Sequence, residues 1–182
     1  MSILNSTVDD PYDVLVVDDQ PMIIEAVRRH LRSDSNARVH GCGLALEALA
    51  RAKDLLPAVI LQDLNMTDGN GLDLVTAYRA EPVLAETSVV VLSAKKDPQV
   101  KAQAFARGAA DYIEKLPPPV EFVARVKHHA RASRAQKQRV QAAVAPSATS
   151  SSTAARLRLC TTSGNPALRI LRAIGLPISP NP

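Results

Sequence analysis

The stretch Pro57-Ala-Val-Ile-Leu-Gln-Asp63 decides how the chain is read: a short run rich in β-branched and aliphatic residues that stops on one carboxylate. Three other runs have the same form. Asp13-Val-Leu-Val-Val17 meets Asp18-Asp19, Val89-Val-Val-Leu92 meets Ser93, and Asp111-Tyr-Ile-Glu114 meets Lys115. Runs this short and apolar read as buried parallel strands, and helical periodicity fills the stretches between them. In an open α/β sheet the carboxyl ends of the strands form the ligand crevice. Three carboxylates, a hydroxyl and an ammonium therefore converge at one edge, a set suited to a divalent cation and a phosphoryl group.

Working outward, helices are predicted over Met22–Arg32, Leu44–Ala52, Leu72–Arg79, Pro98–Arg107 and Glu121 to about Val140. Pro21 suits a first helical turn, Asp97 an N-cap and Gly108 the position just past a helix end. Strand and helix alternate five times, which implies right-handed crossovers and a five-stranded parallel sheet covered on both faces. The expected fold is α/β, doubly wound and flavodoxin-like, with strand order 2-1-3-4-5. That order sets the first and third strands side by side and makes Asp18, Asp19 and Asp63 neighbours.

The chain has 182 residues and a net charge of +4, but the charge is unevenly spread. All 18 carboxylates lie at or before Glu121 with 12 of the 22 Lys and Arg, while 10 basic residues and no acid follow from Phe122 onward. This marks two unlike segments rather than a uniformly basic, nucleic-acid-binding domain. The expected division is a flexible N-terminus over 1–11, the α/β domain over 12–133, a helical stalk over 134–143 and a low-complexity, disordered tail over 144–182. The stretch His128–Arg139 is polar on nearly every face, which suits a projecting helix. The Ala-Pro-Ser-Ala-Thr-Ser run after Val144 reads as a linker. The later tail is poor in core-forming residues. Its carboxylate-free, Ala-, Ser-, Pro- and Arg-rich composition matches out-of-frame reading of a GC-rich gene. Two cysteines, Cys42 and Cys160, give no disulfide framework, and no run approaches a membrane span or a signal peptide, so a cytoplasmic protein is expected. The four histidines lack metal-ligand spacing. The basic run Arg125–Arg139 lacks interleaved aromatics, which argues against nucleic acid.

Paired carboxylates with a third on the next strand form a hard oxygen site that suits Mg2+, which takes one or two carboxylates and keeps waters for a phosphoryl ligand. An Asp pair after a strand also serves simply as a helix cap, a lone strand-end Lys as a solvated residue and a lone Ser as a turn former. Their joint order is what carries weight. A carboxylate nucleophile can form an acyl phosphate, with Lys115 as a point charge and Ser93 as a hydroxyl donor for its oxygens.

The chain resembles a response-regulator receiver domain of bacterial two-component systems from Asp13 to about Arg134. The motifs are Val16-Val-Asp18-Asp19-Gln20, Leu61-Gln-Asp63-Leu-Asn-Met-Thr-Asp-Gly-Asn-Gly71, Val91-Leu-Ser93-Ala94 and Gly108-Ala-Ala-Asp-Tyr112-Ile-Glu-Lys115. The resemblance implies Asp63 as phosphoacceptor, Asp19 as a direct Mg2+ ligand and Asp18 as one acting mostly through water. It further implies the Asn65 carbonyl on the metal, Ser93 and Tyr112 as a switch pair, and Lys115 on the phosphoryl group. A sensor histidine kinase is the implied partner, and a homodimer through the fourth and fifth helices the implied assembly. On phosphorylation Tyr112 would become buried. The family usually has Pro where Thr67 stands, which implies a looser loop after Asp63. Lys115-Leu-Pro117, the Asp-Asp-Gln and Val-Ile-Leu-Gln-Asp-Leu stretches and the Glu25-Ala-Val-Arg-Arg29 helix look more narrowly like the receiver of Wsp-type diguanylate cyclase regulators. No Gly-Gly-Asp/Glu-Glu-Phe motif occurs in the chain, so the resemblance carries no cyclase activity. Two alternatives are the regulatory half of such a cyclase and a magnesium-dependent phosphatase with Asp18 as nucleophile.

Overall fold

A computed structural model describes residues 10–94, 97–115 and 117–144. Five parallel strands, β1 (Tyr12–Val17), β2 (Ala37–Cys42), β3 (Val59–Asp63), β4 (Ser88–Ser93) and β5 (Asp111–Glu114), form one sheet. They alternate with α1 (Pro21–Leu31), α2 (Ala45–Leu55), α3 (Gly71–Ala80), α4 (Pro98–Ala106) and α5 (Pro119–Val144). The strand order is β2-β1-β3-β4-β5, the flavodoxin-like order expected from the sequence. Among the described residues no helix is long and apolar enough to cross a membrane.

Strand alternation divides the core into two layers. Val14 and Val16 pack with Ile24, Val27 and Leu31 of α1 and with Phe122, Val126 and Ala130 of α5. Leu15 and Val17 face the other way, onto Ala48 and Ala52 of α2 and Val75 and Tyr78 of α3. The register then places the chemistry. Val17 pairs with Gln62, so the next residue on each strand, Asp18 and Asp63, come side by side. Ser93 pairs with Glu114, which leaves Lys115 just beyond the edge.

Helix ends follow local chemistry. Asp97 Oδ1 accepts hydrogen bonds from the Gln99 and Val100 amides at 2.9 and 3.3 Å and starts α4. Gly108, at φ +96°, ends it, and a Cβ there would meet Arg79 Cγ at 2.9 Å. Helix α2 runs past the expected Ala52 to Leu55 and leaves through Leu56 in the left-handed region, φ 49°. No glycine signals that exit; Pro57 instead disfavours helical geometry for Leu56.

Helix α5 corrects one expectation. The polar stretch from His128 does not project at once, because the domain supplies partners for its polar groups. Ala130 and Ser133 are buried, and the Ser88 hydroxyl donates to the His129 carbonyl at 3.0 Å. Arg134 Nη2 lies 2.9 Å from Asp10 Oδ2. Lys137 Nζ donates to the carbonyls of Leu56 and Pro57 at 3.2 and 3.1 Å. Only from Gln138 to Ala143 is every residue exposed. The expected tail and most of the N-terminal segment, Cys160 included, lie outside the described residues.

Candidate functional site

Asp18 follows β1 and Asp63 ends β3, and both are almost wholly buried, at 0% and 2% exposure. Lys115, just past β5, reaches both: its Nζ lies 2.9 Å from Asp18 Oδ2 and 2.9 Å from Asp63 Oδ2. Burial pushes the Asp18 carboxyl above its usual range and the Asp63 charge adds to this, against hydrogen bonds from Lys115 and the Gln20 amide. Burial pulls the Lys115 ammonium down, but its two carboxylate partners outweigh that and raise it. The group is thus a pair of crowded carboxylates bridged by one cation.

Asp19 completes the set. Carboxylate oxygens of Asp18, Asp19 and Asp63 lie within 4.8 Å of one another. Asp19 Oδ1 is buried with no hydrogen-bond partner, while Oδ2 accepts from the Thr67 amide at 2.9 Å. A buried, unpaired anionic oxygen beside two more carboxylates suits a hard cation, and the all-oxygen donor set suits Mg2+.

The loop after Asp63 is held more firmly than the Thr67 substitution implied. Asn65–Met66 and Gly69–Asn70 form a short antiparallel hairpin with Thr67 and Asp68 at its tip. The Thr67 amide is bound by Asp19. Asp68 accepts from the Ala45 and Leu46 amides at 3.0 and 3.2 Å and so caps α2, and these bonds keep its carboxyl below the usual range. The expected looseness is corrected: side-chain and backbone hydrogen bonds replace the stiffness of a proline.

Three further expected site residues are Asn65, Ser93 and Tyr112. They line an adjoining cleft of about 450 Å³ between the hairpin and α4, together with Leu64, Asp97 and Val100. Tyr112 and Lys115 also line a larger cavity of about 840 Å³ against α4 and α5. Ser93 is 3% exposed and Tyr112 8%. In this structure the Tyr112 ring packs with the α3 and α4 layer.

Two residues that the sequence reading passed over belong to the site's support. Gln62, fully buried, donates from Nε2 to the Asp63 carbonyl at 2.8 Å, and its Oε1 accepts from the Tyr78 hydroxyl at 2.9 Å. The acceptor nature of the Asp63 carbonyl assigns the amide orientation. Gly71, at the start of α3, gives that carbonyl its room: a Cβ at 71 would lie 2.0 Å from the Asp63 oxygen. The signals available were a polar residue inside an apolar strand and a glycine at a helix start.

Comparison with known proteins matches residues 14–127 to the family model described as response regulator receiver domain. Among curated relatives, the transcriptional regulatory protein KdpE of Mycobacterium tuberculosis is 35% identical over 114 residues, covering 63% of this chain and 49% of KdpE. The DNA-binding response regulator MtrA of Mycolicibacterium smegmatis is 34% identical over 119 residues, 65% of this chain and 50% of MtrA. The chain thus spans about half the length of these relatives. The signal receiver domain of the putative response regulator NarL from M. tuberculosis superposes with TM-score 0.61 at 30% identity, covering 67% of this chain and 98% of that one. The chemotaxis response regulator CheY4 of Vibrio cholerae superposes with TM-score 0.60 at 28% identity, covering 65% and 98%.

Proposed function

Since the chain belongs to the response regulator receiver domain family and so serves phosphorylation-dependent two-component signalling, we propose that Asp63 is its phosphoacceptor, served by a sensor histidine kinase. The observation that carries this reading is Lys115, whose ammonium sits 2.9 Å from both Asp63 and Asp18 and is placed to meet phosphoryl oxygens on the former. Asp18, Asp19, Asp63 and the Asn65 carbonyl would hold Mg2+, which when bound offsets the charge of an incoming phosphoryl group. Asp19 offers its unpaired Oδ1 directly. Asp18, with Oδ1 accepting from the Gln20 amide at 3.0 Å and Oδ2 facing Lys115, acts through water. Ser93, at the cleft wall, would donate to a phosphoryl oxygen, and Tyr112, shared by both cavities, would pass the change to the faces of α4 and α5. The homodimer reading through those helices rests on the same faces.

A phosphatase with Asp18 as nucleophile is not favoured, because residues 14–127 match the receiver-domain family model. The narrower kinship with Wsp-type cyclase regulators gains no support from KdpE and MtrA. MtrA is a DNA-binding regulator, but Arg125, Arg134 and Lys137 of the basic run here are held by Asp111, Asp10 and backbone carbonyls. That supports a packing role for the run, in a chain read as cytoplasmic. With Mg2+ and acetyl phosphate, intact-mass analysis should show one added phosphoryl group, labile to hydroxylamine. Asp63→Asn should abolish it; undiminished labelling of that variant would overturn the assignment.

A further inference from the structure

Lys137 stands apart from the other lysines of the domain. Among the described residues Lys53, Lys115 and Lys127 are each paired with a carboxylate, and Lys101 lies over the Phe105 ring. Lys137 is paired with neutral acceptors instead: its Nζ donates to the carbonyls of Leu56 and Pro57 at 3.2 and 3.1 Å. Burial pulls its ammonium below the ordinary lysine range, and the Glu86 charge offsets this only in part. The same geometry orients the nitrogen. A neutral amine keeps two N–H bonds, one for each carbonyl, so the clasp does not need the third proton. The lone pair that replaces that proton points away from both carbonyls. A carboxylate partner would hold the ammonium charged, whereas two carbonyls hold either form. A desolvated lysine with its lone pair so directed is an activated nucleophile.

We propose that Lys137 is a modification site, acylated at Nζ by a small activated donor of the acyl phosphate class. The amine lone pair attacks the acyl carbon, and the N–C bond forms as the C–O bond to phosphate breaks. Inorganic phosphate leaves with the electron pair, and the amine proton passes to solvent. The product amide has one N–H and no charge. It can serve only one of the two carbonyls, which weakens the hold on α5 just before the exposed stretch 138–143. The site lies at the opposite pole from Asp63 and does not depend on the reading of that residue.

Incubating the full chain with acetyl phosphate and a chelator, and following each lysine by peptide mass spectrometry, tests this. The chelator withholds metal from the carboxylate cluster, so acetyl transfer is observed alone. Lys137 should acetylate about fivefold faster than Lys53 or Lys127, and its rate should reach half its maximum at a lower pH than theirs. In urea the three rates should converge, because burial and the clasp are lost. Equal rates in the folded protein would overturn the proposal, as would a preference for Lys137 that persists in urea. Two variants read the consequence: Lys137→Gln removes the charge, and Lys137→Arg keeps both charge and donors. Amide exchange over 138–143 should quicken about threefold in the acetylated protein and in Lys137→Gln, and stay as in the wild type in Lys137→Arg. Exchange unaltered by acetylation would overturn the weakened hold on α5.

Discussion

The Tyr78 hydroxyl donates to Gln62 Oε1 at 2.9 Å inside the α3 layer, and both residues are wholly buried. The bond links a helix to the residue just before Asp63. Tyr78→Phe leaves a buried amide oxygen unpaired and should cost about 2 kcal/mol. Combined with Gln62→Leu, the loss should fall short of the sum of the single variants by about 1 kcal/mol, since one shared bond is removed twice. Urea unfolding of the four proteins measures this; strict additivity would show that the two residues act independently.

Lys115 is ion-paired with two buried carboxylates at once. Lys115→Ala should therefore destabilise the metal-free protein by about 3 kcal/mol, because the remaining charges have no counterion. A divalent cation supplies charge of the same sign at the same place. Adding Mg2+ should raise the thermal midpoint of Lys115→Ala by more than it raises that of the wild type, and an equal or smaller rise would contradict this account of the site.

Asp111 gives the acid limb of stability. Burial raises its pKa, but His129 Nε2, the Tyr112 amide and Arg125 hold the carboxyl below its ordinary value overall. A group depressed on folding stabilises the protein above its unfolded pKa, and that contribution is lost as pH falls through the folded value. Asp111→Asn should thus be less stable than the wild type by about 1 kcal/mol at pH 6. The gap should close in acid, from about pH 4 downward. Denaturant midpoints across this range test it; a gap that widens in acid would have the wrong sign.

The strand order and the meeting of Asp18, Asp63 and Lys115 could be read from the sequence because each follows from an apolar run and its last residue. Such runs carry their register with them. The supports of the site were hidden for a physical reason. Gln62 looks like a strand interior position, and nothing local shows that its amide turns back to its neighbour's carbonyl. The Thr67 contribution is a backbone N–H, present at every residue but proline. The hold on α5 depends on carbonyls eighty residues away in the chain, at Leu56 and Pro57. Polarity alone could not distinguish these anchors from solvated side chains.

The 26 residues of α5 make a rod about 39 Å long at 1.5 Å per residue. It starts four residues after Lys115, beside the carboxylate edge of the sheet, and Lys137 clasps the opposite edge where Pro57 leads into β3. A stiff rod seated at both poles of the domain cannot adjust at one end alone. Tilting it by about 5° at Pro119 would carry Lys137, roughly 27 Å along the rod, through roughly 2 Å, enough to strain its clasp on Leu56 and Pro57. The distant edge of the molecule would thus register an event at Asp63 mechanically, through leverage.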